Sequence, residues 1–377
     1  MDCCLIYSHL KLPSLPAGIL RRSVASGLSF RRRPSIVVAS ESRTSNSKFQ
    51  FGGLSAPLEP RTPAGGFLSG VLLDDHGSFQ VAARRELERL AAERDEAEAR
   101  LQLSLGSDQA CLYRRIAELK KHECREAVED VMYMLVVYKF SKMRVHLVPK
   151  LSKCVYNGRL EIWPAKDWEL ESLHSFEVLE MVREHITAAV GCKVNANITD
   201  TWSTTKIQRL RLCKLYAAGI LYGYFLKSAT LRHSLERNLD TSNTLLGLGP
   251  WNEASEKFSI RSRHVAYGHA GGTRFPVGRL SYCLGTKEEN LRFYVMGFDR
   301  ETIRMCAKPK FKEAVSVIER HSCALFGDDE KGLLDIDDVI TTSFASLRRI
   351  LLEAVAFGSF MWDVENCVND VYMLEES

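Results

Sequence analysis

The sequence predicts an all-α protein, in which a helical domain contains two tandem copies of a helical hairpin and follows a disordered N-terminal segment. The main observation is an internal repeat. Glu177–Gly191 (EVLEMVREHITAAVG) resembles Glu313–Gly327 (EAVSVIERHSCALFG), and Leu212–Leu226 (LCKLYAAGILYGYFL) resembles Leu347–Met361 (LRRILLEAVAFGSFM). The first pair aligns at an offset of 136 residues and the second at 135. A unit of about 50 residues that occurs twice indicates a duplicated two-helix module whose copies pack together.

The N-terminal segment, residues 1–60, is predicted to be a transit peptide and linker. It contains eight of the 51 Lys and Arg residues but only three of the 47 acidic residues, and none of these acids lies between Asp2 and Glu41. Arg-rich, Ser-rich and acid-poor composition is typical of organelle import signals. The sequence IVVAS at residues 36–40 resembles the end of a chloroplast-type presequence. We therefore expect processing near Ala39 and a mature protein in the chloroplast stroma.

The rest of the chain is close to electrically neutral, because most of the net charge of +4 comes from the N-terminal segment. Sequence-independent nucleic-acid binding requires clustered positive charge, so this balance argues against it. The eleven cysteines include no CxxC pair. This usage suits a reducing compartment such as the stroma.

Helical periodicity predicts an N-terminal helical region over residues 67–164. Phe67–Leu73 is the expected first helix, and Gln80–Leu103 is a charged surface helix with a narrow apolar stripe. Ala110–Met143 is predicted as one long helix or two kinked helices, whose last part is apolar all round and therefore buried. A short strand is expected at Arg159–Trp163.

The two predicted repeats occupy residues 165–237 and 291–372. A polar segment, Asn195–Thr205, links the helices of the first repeat, and the acidic segment Asp328–Asp338 takes that place in the second. Residues 238–290 are rich in Gly, Ser and Thr and are predicted to be a flexible insertion.

Small residues at matching positions predict where the second helices of the repeats cross. Gly219 and Gly223 are four residues apart in the first copy, and Ala354 and Gly358 repeat the spacing in the second. Small residues on one ridge let helix backbones approach closely. The apolar stretch Leu215–Leu226 is shorter than the roughly 20 residues that span a bilayer, so we predict a buried helix and no membrane span.

His185 and His321 occupy equivalent places in the repeats and could form a metal or proton-transfer site. The residues three positions earlier are Val182 and Ile318 rather than glutamates. The Glu-x-x-His pattern of di-metal helical bundles is therefore absent. We expect both histidines to be structural, each bonded to a nearby carbonyl.

Three other segments contain ligand-type residues without the required spacing. His122-Glu123-Cys124 is not completed to HExxH, and adjacent side chains on a helix point in different directions. Asp328–Asp338 lacks the spacing of a calcium loop. Residues 268–272 (GHAGG) could hold an anion through backbone amides, but no strand and helix flank them, so we predict a flexible loop. The basic residues beside this loop are Arg263, Arg274 and Arg279.

No nucleophile-elbow, phosphate-loop or dinucleotide-binding motif occurs in the chain. We therefore assign no catalytic, cofactor-binding or metal-binding residue and expect no cofactor. The absence of a catalytic motif favours a non-enzymatic protein, although it does not establish one.

Five segments together resemble a plant family of chloroplast UV-B-induced proteins, which is built from domain of unknown function 760. They are LYRRIAE (112–118), YMLVVYKF (133–140), LYAAGILYGYFLK (215–227), LRFYVMGF (291–298) and LEAVAFGSFMWDVE (352–365). The resemblance covers nearly all of the chain after the N-terminal segment. It implies a plastid protein that is associated with stress response and has no established biochemical activity, and it supplies no catalytic residue.

The leading hypothesis is a non-enzymatic helical protein of the plastid stroma that acts through unidentified protein partners in acclimation to UV-B, light or other stress. Self-association is left open. The alternative is a small-ligand or enzymatic site at the junction of the repeats, where His185, His321, Tyr222 and Tyr224 would converge. A third hypothesis is RNA binding through the basic segment 261–279.

Overall fold

A computed structural model describes residues 56–191, 204–245, 290–327 and 339–374, except for the side chains of residues 240–245. The described part is mostly helical, as predicted. Its ten α-helices are α1 (Pro63–Asp74), α2 (Phe79–Ser104), α3 (Ala110–Lys142), α4 (Asp167–Glu171), α5 (Phe176–Val190), α6 (Arg209–Leu245), α7 (Leu291–Met296), α8 (Arg300–Ala307), α9 (Lys312–Phe326) and α10 (Phe344–Tyr372). None of these helices is both long enough and apolar enough to cross a bilayer.

A small sheet makes the prediction of an all-α fold wrong in part. Its strands are β1 (Val155–Tyr156), β2 (Arg159–Leu160), β3 (Thr204–Gln208) and β4 (Val339–Ser343). The strand order is β1-β2-β4-β3; β2 runs parallel to β4, whereas β3 is antiparallel to β4. The strand predicted at Arg159–Trp163 is confirmed as the shorter β2, but the sequence interpretation missed β3 and β4.

Strands β3 and β4 bring the two long helices of the core together. Thr204 pairs with Ser343, Lys206 with Thr341, and the last residue of β3 with the first residue of β4. Each strand leads directly into a long helix, β3 into α6 and β4 into α10. The sheet therefore fixes the starting points of α6 and α10 beside each other.

Helices α6 and α10 cross at Gly223 and Gly358, as the spacing of small residues predicted. A Cβ atom added at Gly223 would overlap the carbonyl oxygen of Val355, and one added at Gly358 would overlap that of Ile220. Each glycine thus lies directly against the backbone of the other helix. Glycine permits this close approach because it has no Cβ atom. The predicted crossing is confirmed.

The outer helices pack across the predicted repeats. Helix α5 packs against α10, and α9 packs against α6 and also α3. The first helix of each predicted hairpin therefore packs on the second helix of the other one.

Helix α3 has a buried half and an exposed half. From Val131 to Val137 every residue is buried, as the uniformly apolar sequence predicted. The N-terminal half extends beside α2, where Lys120 forms an ion pair of 2.7 Å with Glu93. Its outward face carries exposed apolar residues: Leu112, Ile116 and Leu119.

The folded body begins before α1, inside the predicted segment 1–60. Leu58 is buried. The buried Asp130 of α3 accepts hydrogen bonds from the amides of Arg61 and Thr62, at 2.7 and 2.8 Å, and from the Thr62 hydroxyl at 2.9 Å. Arg320 of α9 donates to the other oxygen of Asp130 at 2.8 Å. This carboxylate of α3 therefore holds residues 58–62 and α9 in place.

Candidate functional site

The most concentrated group of titratable side chains lies inside the core, between α6, α9 and α10. His321 is completely buried, and its Nε2 lies 2.8 Å from the hydroxyl oxygen of Tyr216. Its ring stacks on Phe357 with the centroids 4.2 Å apart. Burial lowers the pKa of His321 to about 3, since a charged imidazole would lose its hydration there. The ring is therefore neutral at physiological pH.

The hydroxyl of Tyr216 also contacts the carboxyl group of Glu353, which is wholly buried. Glu353 accepts a hydrogen bond of 2.9 Å from Arg349, one turn earlier on α10, and its oxygens accept the amide of Val148 at 3.0 and 3.2 Å. Arg349 donates a further bond of 2.7 Å to the carbonyl of His146. Burial raises the pKa of Glu353, while the guanidinium and the amide favour its charged form.

These contacts form a continuous chain from Arg349 through Glu353 and Tyr216 to His321. The chain contains groups that could pass a proton, but each side chain is almost fully buried. Nδ1 of His321 has no hydrogen-bond partner among the described residues. The arrangement supports a structural role, because it connects α6, α9, α10 and the segment after α3.

A second buried carboxylate lies further along α10. Glu365 accepts a short hydrogen bond from the Tyr224 hydroxyl and another, at 2.9 Å, from the amide of Phe311. Burial raises the pKa of both Glu365 and Tyr224. The pair holds the start of α9 against α6 and α10.

His185 lies in a different environment from His321. Its ring stacks on Tyr222, with the centroids 4.0 Å apart, and burial lowers its pKa to about 4. The Tyr222 hydroxyl donates to the carbonyl of Met181 at 3.2 Å. The four side chains of the alternative hypothesis, which include Tyr224, therefore occupy three separate environments and do not converge. The carbonyl partner expected for His321 is also wrong, because that ring bonds to a tyrosine.

The remaining ligand-type residues give no cluster in the described part of the chain. His122 is exposed while Cys124, two positions later, is buried, so these two side chains point in different directions. Within the described ranges no group of three or more His, Cys, Asp or Glu residues could hold a metal ion.

Burial raises the pKa of the Cys154 and Cys213 thiols to about 11, which opposes formation of a nucleophilic thiolate. The Gly268 loop with its arginines and the acidic segment 328–338 lie outside the described residues.

Two crevices lie at the surface, away from the buried chain of polar groups. One, of about 170 Å³, is bounded by α2, α3 and the end of α10, where Arg94 covers the ring of Tyr372 and donates to its carbonyl at 2.7 Å. The other, of about 440 Å³, is open and lies between α6 and the turn joining α7 to α8. Arg232 and Glu236 form an ion pair of 3.0 Å on its wall. In both crevices the charged groups already have partners within the protein.

Sequence comparison places this helical, sheet-braced chain in a family. Residues 111–239 match the family model described as a protein of unknown function, DUF760. The chain is also 36% identical over 357 residues to one curated protein, and the match covers 90% of this chain and 83% of that protein. Similarity of this extent shows that the chain belongs to this family.

The relative is the chloroplastic UV-B-induced protein of Arabidopsis thaliana. Its chloroplast location supports the chloroplast localisation predicted from the N-terminal composition of this chain. No solved structure matches.

Proposed function

We propose that this chain is a non-enzymatic protein of the chloroplast stroma that acts through protein contacts during acclimation to UV-B or other stress. The acid-poor N-terminal segment supports the location, and the name of the relative supports both the location and the stress association. The buried polar chain supports a non-enzymatic role, because its members bond to one another within the core.

The observation that carries a role in protein contacts is the exposed apolar face of α3. Leu112, Ile116 and Leu119 are 59%, 41% and 49% exposed. Their spacing of four and three residues places them on one helix face. A helix normally buries such a stripe. Exposed apolar patches that are surrounded by polar residues often mark interaction sites.

Affinity capture from intact chloroplasts, before and after UV-B exposure, tests the proposal. Proteins and small molecules that are retained would both be identified by mass spectrometry. We expect protein partners whose recovery falls when the three apolar residues are changed together (Leu112→Gln, Ile116→Gln, Leu119→Gln). These positions are exposed, so the variant should keep the melting temperature of the wild type. A stoichiometric small molecule that is retained equally by both proteins, without protein partners, would favour the alternative ligand-binding function.

We also propose that the segments α5-β3-α6 and α9-β4-α10 are copies of one unit, related by an approximate two-fold axis. At the sequence offset of 135, Thr204 is equivalent to Val339 and Gln208 to Ser343. Their pairing is reciprocal, since Thr204 pairs with Ser343 and Gln208 with Val339. The glycine contacts at the crossing of α6 and α10 are reciprocal in the same way. A solved structure whose two units superpose only by a rotation far from 180° would contradict this proposal.

A further inference from the structure

Strand β3 forms one edge of the sheet. It pairs with β4 on one side only, and no described residue pairs with its other side. Five residues of extended backbone, Thr204–Gln208, therefore present an outer edge that is open in the described part of the chain. An edge of this kind presents a row of unpaired N–H and C=O groups that can template another strand.

The register shows which backbone groups point outwards. The amide of Thr341, at the centre of β4, points to β2 and donates to the carbonyl of Gly158 at 3.4 Å. Thr341 lies opposite Lys206, so this is a pair whose backbone groups point away from each other. The N–H and C=O of Lys206 consequently face the open edge, as do those of Thr204 and Gln208.

The corresponding edge of β4 already holds a strand. There β2 runs parallel to β4, with Arg159 opposite Thr341 and Leu160 opposite Thr342. Leu160 is fully buried, and the Thr342 hydroxyl donates to its carbonyl at 3.1 Å. The proposed two-fold axis places the open edge of β3 in the position that β2 occupies on β4.

The side chains on β3 specify the chemistry of an added strand. At the offset of 135, Lys206 takes the place of Thr341 and Ile207 that of Thr342. Ile207 is buried at 9% exposure, so a residue opposite it would point towards the body. Lys206 is exposed, and opposite charges across neighbouring strands are stabilising whereas like charges are not.

We propose that the outer edge of β3 binds an extended segment of a partner protein, which adds as a strand parallel to β3 with an acidic residue opposite Lys206 followed by an apolar residue opposite Ile207. Main-chain hydrogen bonds would supply affinity and these two side chains specificity, as in other cases of strand addition. The inference rests on the proposed role in protein contacts and on the proposed two-fold relation.

The test uses the full chain and a fluorescent peptide of residues 158–163 (GRLEIW) with the substitution R159E. This peptide copies β2 but carries an acid where the partner should have one. We expect saturable binding by fluorescence anisotropy, and about threefold to tenfold weaker binding of the unsubstituted peptide, which places arginine opposite Lys206. The charge reversal Lys206→Glu should invert this preference. Peptide addition should slow hydrogen exchange of the outward amides of Lys206 and Gln208.

Two controls separate backbone pairing from charge. Lys206→Pro removes an outward amide, which an edge strand tolerates, and should abolish binding, whereas Lys206→Ala keeps the amide and should weaken binding only about threefold to fivefold. A peptide with an N-methyl group on the residue equivalent to Leu160 should also fail to bind, and it leaves the protein unchanged.

Absence of saturable binding, or equal binding by the N-methylated peptide, would overturn the inference. Slow exchange of the outward amides of Lys206 and Gln208 before peptide addition would also overturn it, because another part of the chain would then occupy the edge. So would a dimer of the free protein that Lys206→Pro dissociates, since the occupant would then be a second copy. Partners captured from chloroplasts in any of these cases would leave the proposed function standing.

Discussion

Burial keeps His321 neutral at acidic pH values at which water would protonate it. His321 combines complete burial with one hydrogen bond and a stacked ring. The unfolded chain would protonate this imidazole with a pKa of about 6.5, whereas burial lowers its folded pKa to about 3. Between these values the unfolded state binds more protons, so the free energy of unfolding must fall as the pH falls.

We predict that His321→Gln reduces this pH dependence. The wild type should be the more stable protein at pH 7, and its advantage should shrink by roughly 2 kcal/mol at pH 5, at about 1.4 kcal/mol per pH unit below 6.5. Urea unfolding at both pH values measures this change. His122→Gln is the matched control, since that ring is 57% exposed; its curve should run parallel to that of the wild type. An advantage of the wild type that is the same at pH 5 and pH 7 would mean that His321 is not buried in a neutral form.

The residues of the buried network could be predicted only in part. His321 was identified because it recurs at the offset of the repeat, but its partner Tyr216 was not. Arg349 and Glu353 stand at i and i+4 within the apolar run of α10, and charged residues in such a run indicate a buried ion pair. The contact of Tyr216 with both His321 and Glu353 depends on tertiary packing, which no local pattern encodes.

At the scale of elements, backbone contact between α6 and α10 sets the geometry of the core. The spacing of small residues was sufficient to predict this crossing, because only glycine allows two helix backbones to touch. The strands before these helices were harder to predict. TTKIQ and VITTS are rich in β-branched residues, which favour strands, but each is only five residues long and adjoins a strongly helical pattern. The pairing of β3 with β4 is what makes them strands.

We predict that Gly358→Ala destabilises the protein by about 3 kcal/mol or more, because overpacking costs 1–3 kcal/mol and here the added atom meets the backbone of Ile220. The free energy of unfolding in urea measures the effect. Gly70→Ala in α1 is the matched control, since nothing lies within 4 Å of its Cβ position; it should stabilise by up to about 1 kcal/mol through helix propensity. If both substitutions stabilise the protein, α6 and α10 do not cross at Gly358.

At the scale of the whole molecule, the folded body begins inside the segment that is predicted to be a transit peptide and linker. The predicted transit peptide and linker extend to residue 60, but Leu58 is buried and Arg61 and Thr62 donate to Asp130. Composition predicts an import signal but cannot locate the contacts of residues 58–62, because Pro, Gly and Ser mark a linker whether or not a distant carboxylate binds it.

We predict that residues 1–60 direct a fluorescent fusion into chloroplasts and that the mature protein begins between residues 40 and 55. Mass spectrometry of the N-terminal peptide from isolated chloroplasts measures the boundary. A chain starting at residue 56 should unfold at the same urea concentration as a longer one. A chain starting at Pro63 should lose about 2–4 kcal/mol, because it leaves the buried Asp130 without three of its donors. Fluorescence confined to the cytosol, or equal stability of the two truncated chains, would contradict these expectations.

The meeting of β3 with β4 and of α6 with α10 also sets the order in which the chain can fold. The strand pairs and the glycine contacts join residues 131 to 139 positions apart. Helix α10, the last described helix, packs against α2, α3, α4, α5 and α6. A chain dominated by such distant contacts must close long loops before it gains energy from them, which slows folding. A polypeptide that enters an organelle N-terminus first would therefore have no complete core until α10 had followed. The same topology that stabilises the finished protein would therefore delay complete folding of an imported chain until translocation had ended.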